Sequence, residues 1–216
     1  MRGTWGGVFF DLDGTLADTV DLILRCFRHT SRVHLGEALP DEVVISTIGT
    51  PLPVQMRGFA RSDEEAERMR QTYVEFQEGV HDDMVRAFPG AASVLATLRD
   101  RGTKLAVVTS KHTRIAHRTI ECCGLSDSLD LVVCADQVKR PKPEPESVVR
   151  ALDHFGLRAD EVLFVGDSPF DLQAGRSAGV RTAAALWGPF PHHALTAEEP
   201  DFLLQGLEDV LTLTPD

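Results

Sequence analysis

The chain of 216 residues is 43% hydrophobic and 25% charged, the balance of a soluble globular protein, and its length fits one domain with a large insertion, or one and a half domains. Its 22 basic and 33 acidic residues leave a net charge of -11, which repels phosphate backbones and anionic membranes, so neither nucleic acid nor membrane is expected as a partner. No run approaches the ~20 apolar residues of a membrane span, and the start M-R-G-T-W-G-G-V-F-F-D carries no secretory apolar stretch, so a cytoplasmic protein is expected.

In chain order, the first element is an apolar strand that ends abruptly. Residues 9–19 read F-F-D-L-D-G-T-L-A-D-T, placing Asp11 and Asp13 one residue apart at the strand's end, with Gly14 and Thr15 at once behind them. The stretch 17–84 contains no convincing strand. Asp18–His34 reads as a helix with Val20, Ile23, Leu24 and Phe27 on one face, and Ser62–Gly79 as a capped, charged helix. After Phe88-Pro89-Gly90 the texture changes to short apolar runs alternating with helical patterns. Helices are predicted at Ser93–Arg101, His112–Cys123, Pro145–Phe155 and Pro169–Ala178, several opened by Pro or closed by Gly. Strands are predicted at Lys104–Val108, Leu131–Cys134, Glu161–Val165 and Arg181–Ala185. Continuous apolar strands between amphipathic helices predict an α/β fold, a Rossmann-like parallel sheet with helices on both faces. Residues 1–16 and 85–216 form this core and 17–84 an inserted α-helical unit, joined to it by two strand-free crossings near Leu16–Ala17 and Met84–Phe88. The four cysteines (Cys26, Cys122, Cys123 and Cys134) form no C-x-x-C pair and complete no zinc spacing, so they are expected to be reduced structural thiols.

Ligands bind at the carboxyl ends of strands in such a sheet. Asp11 and Asp13 follow the first strand, Thr109 and Ser110 the strand at Lys104–Val108, and Asp167 and Asp171 the strand at Glu161–Val165, while Lys142 lies in the loop after the Leu131 strand. Carboxylates converging on one crevice repel unless a divalent cation neutralises them, and all-oxygen ligation with room for a phosphate suits Mg²⁺. Lys142 adds a positive charge for an anionic substrate, and a hydroxyl from Thr109 or Ser110 a neutral donor. Gly14 is expected to turn the backbone so that amides after Asp13 also face a phosphate.

D-L-D-G-T, V-V-T-S, K-P-E-P and G-D-S-P-F-D, in this order and spacing, resemble the four motifs of the haloacid dehalogenase superfamily, and the resemblance extends over essentially the whole chain. The insertion resembles that superfamily's small helical cap. The resemblance implies that Asp11 is the nucleophile of an aspartyl-phosphate intermediate, and that Asp13 protonates the leaving group and then activates water. It implies that Asp11, the Asp13 carbonyl and Asp167 hold Mg²⁺, with Asp171 ligating through water or supporting Asp167. Thr109, with Ser110 as the adjacent alternative, and Lys142 would bind the transferred phosphoryl group. Ser147 departs from the pattern, standing where a bulky apolar residue is usual.

Cap residues that could select the substrate are Thr50, Arg57 and Arg61; arginine suits a second anionic group. The resemblance runs to small phosphatases acting on phosphoglycolate and to related cytoplasmic pyrophosphatases, so the expected partner is a small phosphorylated metabolite and the expected assembly a monomer or homodimer. A β-phosphoglucomutase-like phosphosugar mutase is the alternative enzyme. A phospho-accepting signalling domain or a non-catalytic phospho-ligand binding protein are the alternatives outside catalysis; D-x-D-G-T with a helical insert and the hydrolytic acid/base Asp13 argue against the first, and the intact set Asp11, Asp13, Thr109, Lys142 and Asp167 against the second.

Overall fold

The computed structural model describes residues 4–215; the ends of the expected core range, residues 1–3 and 216, lie outside the described residues. The elements in order are β1 (Gly7–Phe10), β2 (Ala17–Asp18), α1 (Val20–Leu35), α2 (Asp41–Ile45), α3 (Leu52–Phe59), α4 (Asp63–Met84), β3 (Arg86–Ala87) and α5 (Ala91–Asp100). They continue with β4 (Lys104–Val108), α6 (Thr113–Cys122), β5 (Leu131–Val133), α7 (Glu146–Phe155), β6 (Val162–Gly166), α8 (Pro169–Ala178), β7 (Arg181–Ala185), α9 (His192–Thr196) and β8 (Phe202–Leu204).

Among the described residues, six strands form one parallel sheet in the order β5-β4-β1-β6-β7-β8. Alternation along the strands divides the side chains between the two faces. Val8, Phe10, Leu105, Val107, Leu163 and Val165 join one buried cluster with residues of α5 and α6. Phe9, Ala106, Val108, Val162 and Phe164 join the other with Val148, Ala151 and Leu152 of α7 and Ala174 of α8. Burial on both faces is why these strands read as continuous apolar runs.

Register positions the chemistry. Phe10 pairs with Val107 on one side and Val165 on the other, so β1, β4 and β6 end side by side. The ladder runs one bond further on both sides, with Asp11 N donating to Val165 O and Thr109 N to Val133 O, each at 2.9 Å. Strand order also reverses here: from β1 the chain builds β4 and β5 outward on one side, then crosses to β6 on the other. The crevice at that switch point holds Asp11, Thr109 and Asp167.

Two sequence expectations need correction. The crossings into the insertion are not strand-free: β2 and β3 pair antiparallel, Ala17 with Ala87 and Asp18 with Arg86. Two-residue strands carry no periodicity by which to be read. Nor does α4 stop at Gly79; it runs on to Met84. Gly79 is exposed with open space where a side chain would be, so it imposes only the intrinsic penalty of about 1 kcal/mol. The last turn is held by His81, fully buried, with Nδ1 2.7 Å from Asp82 Oδ1 and Nε2 2.9 Å from Thr119 Oγ1 of α6.

The inserted helices bury a cluster in which Ile23, Leu24, Cys26 and Phe27 of α1 meet Met56 of α3 and Met69 and Tyr73 of α4, and which continues into the core through Leu172 of α8, Ala184 of β7 and Leu195 of α9. Phe27 packs edge-on against Tyr73 at 5.2 Å and Phe59 at 5.8 Å. That apolar face of α1 is the one the sequence marks. All four cysteines are free thiols, and among the described residues no helix is long and apolar enough to cross a membrane.

Candidate active site

Lys142 is the hub of the crevice. The loop after β5 delivers its side chain, only 1% exposed, into the interior, where Nζ donates to Asp11 Oδ1 at 2.7 Å, Asp171 Oδ1 at 2.5 Å and the carbonyl of Val108 at 3.1 Å. The other cations of V-K-R-P-K-P-E-P are placed differently. Arg140 is exposed and pairs with Glu146, whereas Lys139 lies at the rim of the cavity described below. Burial works against the Lys142 charge, but the two carboxylates outweigh it and hold the ammonium above its ordinary range.

Asp171 is set by the start of α8. Its Oδ2 accepts from Ser168 N at 3.0 Å and Ser168 Oγ at 2.6 Å, and its N–H in turn donates to Ser168 Oγ, a reciprocal cap that also aims Oδ1 at Lys142. Gly166 permits this approach, because a side chain there would begin 2.3 Å from Asp171 Cβ.

Asp167 is 1% exposed. Its Oδ1 accepts from Thr15 Oγ1 at 2.6 Å, while Oδ2 is buried with no hydrogen-bond partner among the described residues. Two glycines cradle this carboxylate. A Cβ on Gly14, whose φ is +80°, would lie 2.5 Å from Oδ2, and one on Gly188 would lie 2.3 Å from Asp167 Cβ. One carboxylate oxygen each from Asp11, Asp167 and Asp171 falls within 4.8 Å of the others. Burial pushes the Asp11 carboxyl up from 3.8 to about 7 against the pull of Lys142, with Asp171 adding to the rise. Burial, then the charges of Asp11 and Asp171, push Asp167 well above its ordinary value. Three buried acids, an unpartnered oxygen and one lysine fit a divalent cation as the missing positive charge.

Asp13 stands apart from that cluster. Its Oδ1 accepts from Thr19 Oγ1 at 2.5 Å and pairs with the Nζ of Lys111. The turn after it differs from expectation. The amides of Gly14, Thr15 and Leu16 do not face outward; they bond to the carbonyls of Ala17 and Leu12 within the turn itself. Gly14 is required for the turn and for proximity to Asp167, not to present amides.

Thr109 and Ser110 diverge. Thr109 is buried, and its Oγ1 accepts from Lys111 N at 3.2 Å. Ser110 Oγ donates to the carbonyl of Gly49 at 2.5 Å, tying the strand-end loop to the inserted helices. A cavity of about 590 Å³ opens between crevice and insertion, lined by Asp11, Asp13, Thr109 and Lys111 on one side and by Thr50, Arg57, Arg70, Tyr73 and Gln77 on the other. Arg61 does not line it. Its guanidinium is engaged by Glu65 and by the carbonyl of His34, on the outer surface. Ser147 is buried, and its Oγ has no partner among the described residues.

The sequence reading missed Lys111, Thr15, Thr19, Arg70 and Gln77. Lys111 carried a signal, being the residue after T-S at a strand end. The helix residues carried none, since even the buried face of α4 mixes polar with apolar side chains.

Residues 8–185 match the family model described as haloacid dehalogenase-like hydrolase. The chain belongs to that family. The haloacid dehalogenase-like hydrolase is 37% identical over 206 residues to a chain of Caldanaerobacter subterraneus subsp. tengcongensis that carries the PpaX name, covering 95% of this chain and 93% of the relative. It is 34% identical over 207 residues to pyrophosphatase PpaX of Bacillus velezensis, covering 96% of this chain and 95% of the relative. The crystal structure of a predicted phosphoglycolate phosphatase from Haemophilus somnus 129PT shares its fold, with a TM-score of 0.88 at 22% identity over 96% of this chain and 97% of that one. The protein is thus an enzyme, a phosphatase of the haloacid dehalogenase type.

Proposed function

We propose that this hydrolase is a Mg²⁺-dependent phosphohydrolase working through an aspartyl-phosphate on Asp11, and that its substrate is a small phosphorylated metabolite with a second anionic group, inorganic pyrophosphate or phosphoglycolate. One observation carries the reading: Lys142 bridges Asp11 and Asp171 beside the unpartnered Oδ2 of Asp167. The cation would be held by Asp11, Asp167 and the backbone carbonyl of Asp13, with Asp171 in support; when bound, it offsets the clustered carboxylates and screens the charge of the incoming phosphate.

The rest is done by side chains. Asp11 is the nucleophile, ionised once the cation offsets the burial that raises its pKa. Lys142 fixes its orientation and meets the transferred phosphoryl group, with the Thr109 hydroxyl as a neutral donor. Asp13 is held by Thr19 and Lys111 on the leaving-group side, where it serves as acid and then as the base for water. Residues 17–84 act as a lid that excludes bulk water and faces the non-reacting end of the substrate, with β2 and β3 as the hinge ladder. The 590 Å³ space favours small esters or pyrophosphate over proteins or polynucleotides, and the PpaX name of its relatives points toward pyrophosphate.

Phosphate release from pyrophosphate, phosphoglycolate and p-nitrophenyl phosphate, each with Mg²⁺ and with EDTA, tests the reading. Release from at least one that requires Mg²⁺ is expected. No release above the blank from the intact protein overturns it.

A further inference from the structure

The crevice contains two largely buried ammonium groups, and the chemistry above gives only one of them a substrate group to meet. Lys142 serves the nucleophile. Lys111 instead sits on the far side, its side chain 8% exposed and its Nζ on Asp13 Oδ1, the same oxygen that accepts from Thr19. Neither the carboxylate cluster around Asp167 nor the phosphoryl pocket needs a charge there. Across the same cavity stands Gln77, projected from α4. It is 5% exposed, yet its carboxamide makes no hydrogen bond to any described residue. Its amide atoms are accessible from the cavity and so are open to a ligand there.

We propose that Lys111 and Gln77 together recognise the departing half of the substrate, and that this half is itself a compact anion, the orthophosphate of pyrophosphate or the carboxylate-bearing alcohol of phosphoglycolate. The proposal rests on the covalent reading above. In the transfer step a carboxylate oxygen of Asp11 forms a bond to the near phosphorus, and the bond from that phosphorus to the bridging oxygen breaks. With pyrophosphate the electron pair stays on the bridging oxygen, where negative charge builds until the proton carried by Asp13 passes to it. Because that group is already charged before the step, Lys111 attracts it on binding, and the attraction grows as the bond breaks. The uncharged aryl group of p-nitrophenyl phosphate gives Lys111 nothing to hold before reaction. The Gln77 amide supplies N–H donors to the distal oxygens without adding charge, from the opposite wall, so it is engaged only when the helices are seated over the crevice.

The test compares kcat/KM for pyrophosphate with kcat/KM for p-nitrophenyl phosphate in wild type, Lys111→Met, Lys111→Arg and Gln77→Leu. Lys111→Met is expected to lower the ratio of the two by at least about tenfold, the scale of a fixed ionic donor in a dry site. Lys111→Arg, which keeps the charge, should recover at least half of that loss on a logarithmic scale. Gln77→Leu should raise KM for pyrophosphate at least threefold without lowering Tm, whereas a purely structural glutamine would lower Tm. The Gln77 arm stands even where Lys111→Met does not fold. A ratio that falls less than tenfold in folded Lys111→Met, or an unchanged pyrophosphate KM in Gln77→Leu, overturns the assignment. Wild type that is inactive on both substrates instead overturns the covalent reading, so the two failures are distinct.

Discussion

The strand-end crevice and the inserted helices hold their charges by different rules. In the crevice, Asp11 at the end of β1, Asp171 in the first turn of α8 and Lys142 from the loop after β5 converge, with Lys142 Nζ 2.7 Å from Asp11 Oδ1 and 2.5 Å from Asp171 Oδ1. In the insertion, cations that face the cavity are interleaved with cations spent on the surface. Arg57 lines the cavity, while Arg61, one turn on, is tied to Glu65, and Arg28 to Asp41. The lesson is that chemistry sits where the backbone dictates direction, and selection sits where packing does.

The largest effect expected is on the crevice side. Asp11→Asn should lower turnover by more than about 10⁴-fold, the scale of removing a nucleophile. It should also stabilise the metal-free protein above neutral pH. In wild type the Asp11 pKa is raised to about 7, so the folded state keeps a proton that the unfolded chain releases above its ordinary pKa of about 3.8. Metal-free stability therefore falls as pH rises from about 4 to about 7, and Mg²⁺ should restore it at the upper end. Thermal unfolding with EDTA across that range checks the sign; a metal-free Tm that rises with pH, or an Asn variant with the same slope, contradicts it.

A second comparison splits the crevice itself. Asp13→Asn should cut turnover by roughly 10²-fold or more while leaving Mg²⁺ affinity largely intact, because the proposed ligand there is a carbonyl. Asp167→Asn should weaken Mg²⁺ binding directly, since it alters the carboxylate whose Oδ2 has no protein partner. Calorimetric titration of both variants with Mg²⁺ separates them, and equal losses of affinity would show the roles to be misassigned.

Legibility follows the same division. The strand at Lys104–Val108, the helix at Pro169–Ala178 and the strand at Arg181–Ala185 have the bounds their sequence patterns give, because β-branched runs and Pro/Gly punctuation are local signals. Asp11 and Asp167 can be placed in the crevice because a strand end fixes where the next side chain lies, whereas Lys142, well beyond the end of β5, is singled out by the K-P-E-P match to the family pattern. The helices α2 and α3, the edge strand β8 and the β2–β3 ladder were not read, being too short for any period to show. Arg61 and Gln77 illustrate the limit in opposite senses. Both are polar residues on or beside a charged helix, and only packing against α1 and the crevice turns one outward and the other inward.

Smaller effects are expected where the two regions touch. Gly49 has φ +101°, and a Cβ there would lie 2.6 Å from Ser168 Oγ. Gly49→Ala should therefore cost about 1–3 kcal/mol or hold the helices off the crevice, raising KM for every substrate alike. Ser110→Ala removes the one hydrogen bond to the Gly49 carbonyl and should cost only about 1 kcal/mol. Denaturant titrations with parallel KM measurements rank the two, and a larger loss in Ser110→Ala would show that hydrogen bonding, not close approach, joins the regions.

The smallest effect lies within the insertion, between its two sequence-marked arginines. Arg57 lines the cavity and makes no ion pair with a described residue, so its guanidinium is available to an anion entering from solvent. It is exposed, however, and screening limits what one such charge contributes. Arg57→Ala should accordingly raise KM for pyrophosphate or phosphoglycolate by about 3- to 10-fold, with kcat nearly unchanged, because the contact is the same before and during reaction. The effect on p-nitrophenyl phosphate, whose organic end is uncharged, should be smaller. Arg61 is 74% exposed and committed to Glu65 at the start of α4. Arg61→Ala should leave KM for all three substrates within about twofold, as expected of a surface side chain that touches no ligand. Steady-state kinetics on the three substrates with both variants decide the matter. A KM rise in Arg61→Ala as large as that in Arg57→Ala would mean that the cavity seen between helices and crevice is not the path by which substrate reaches Asp11.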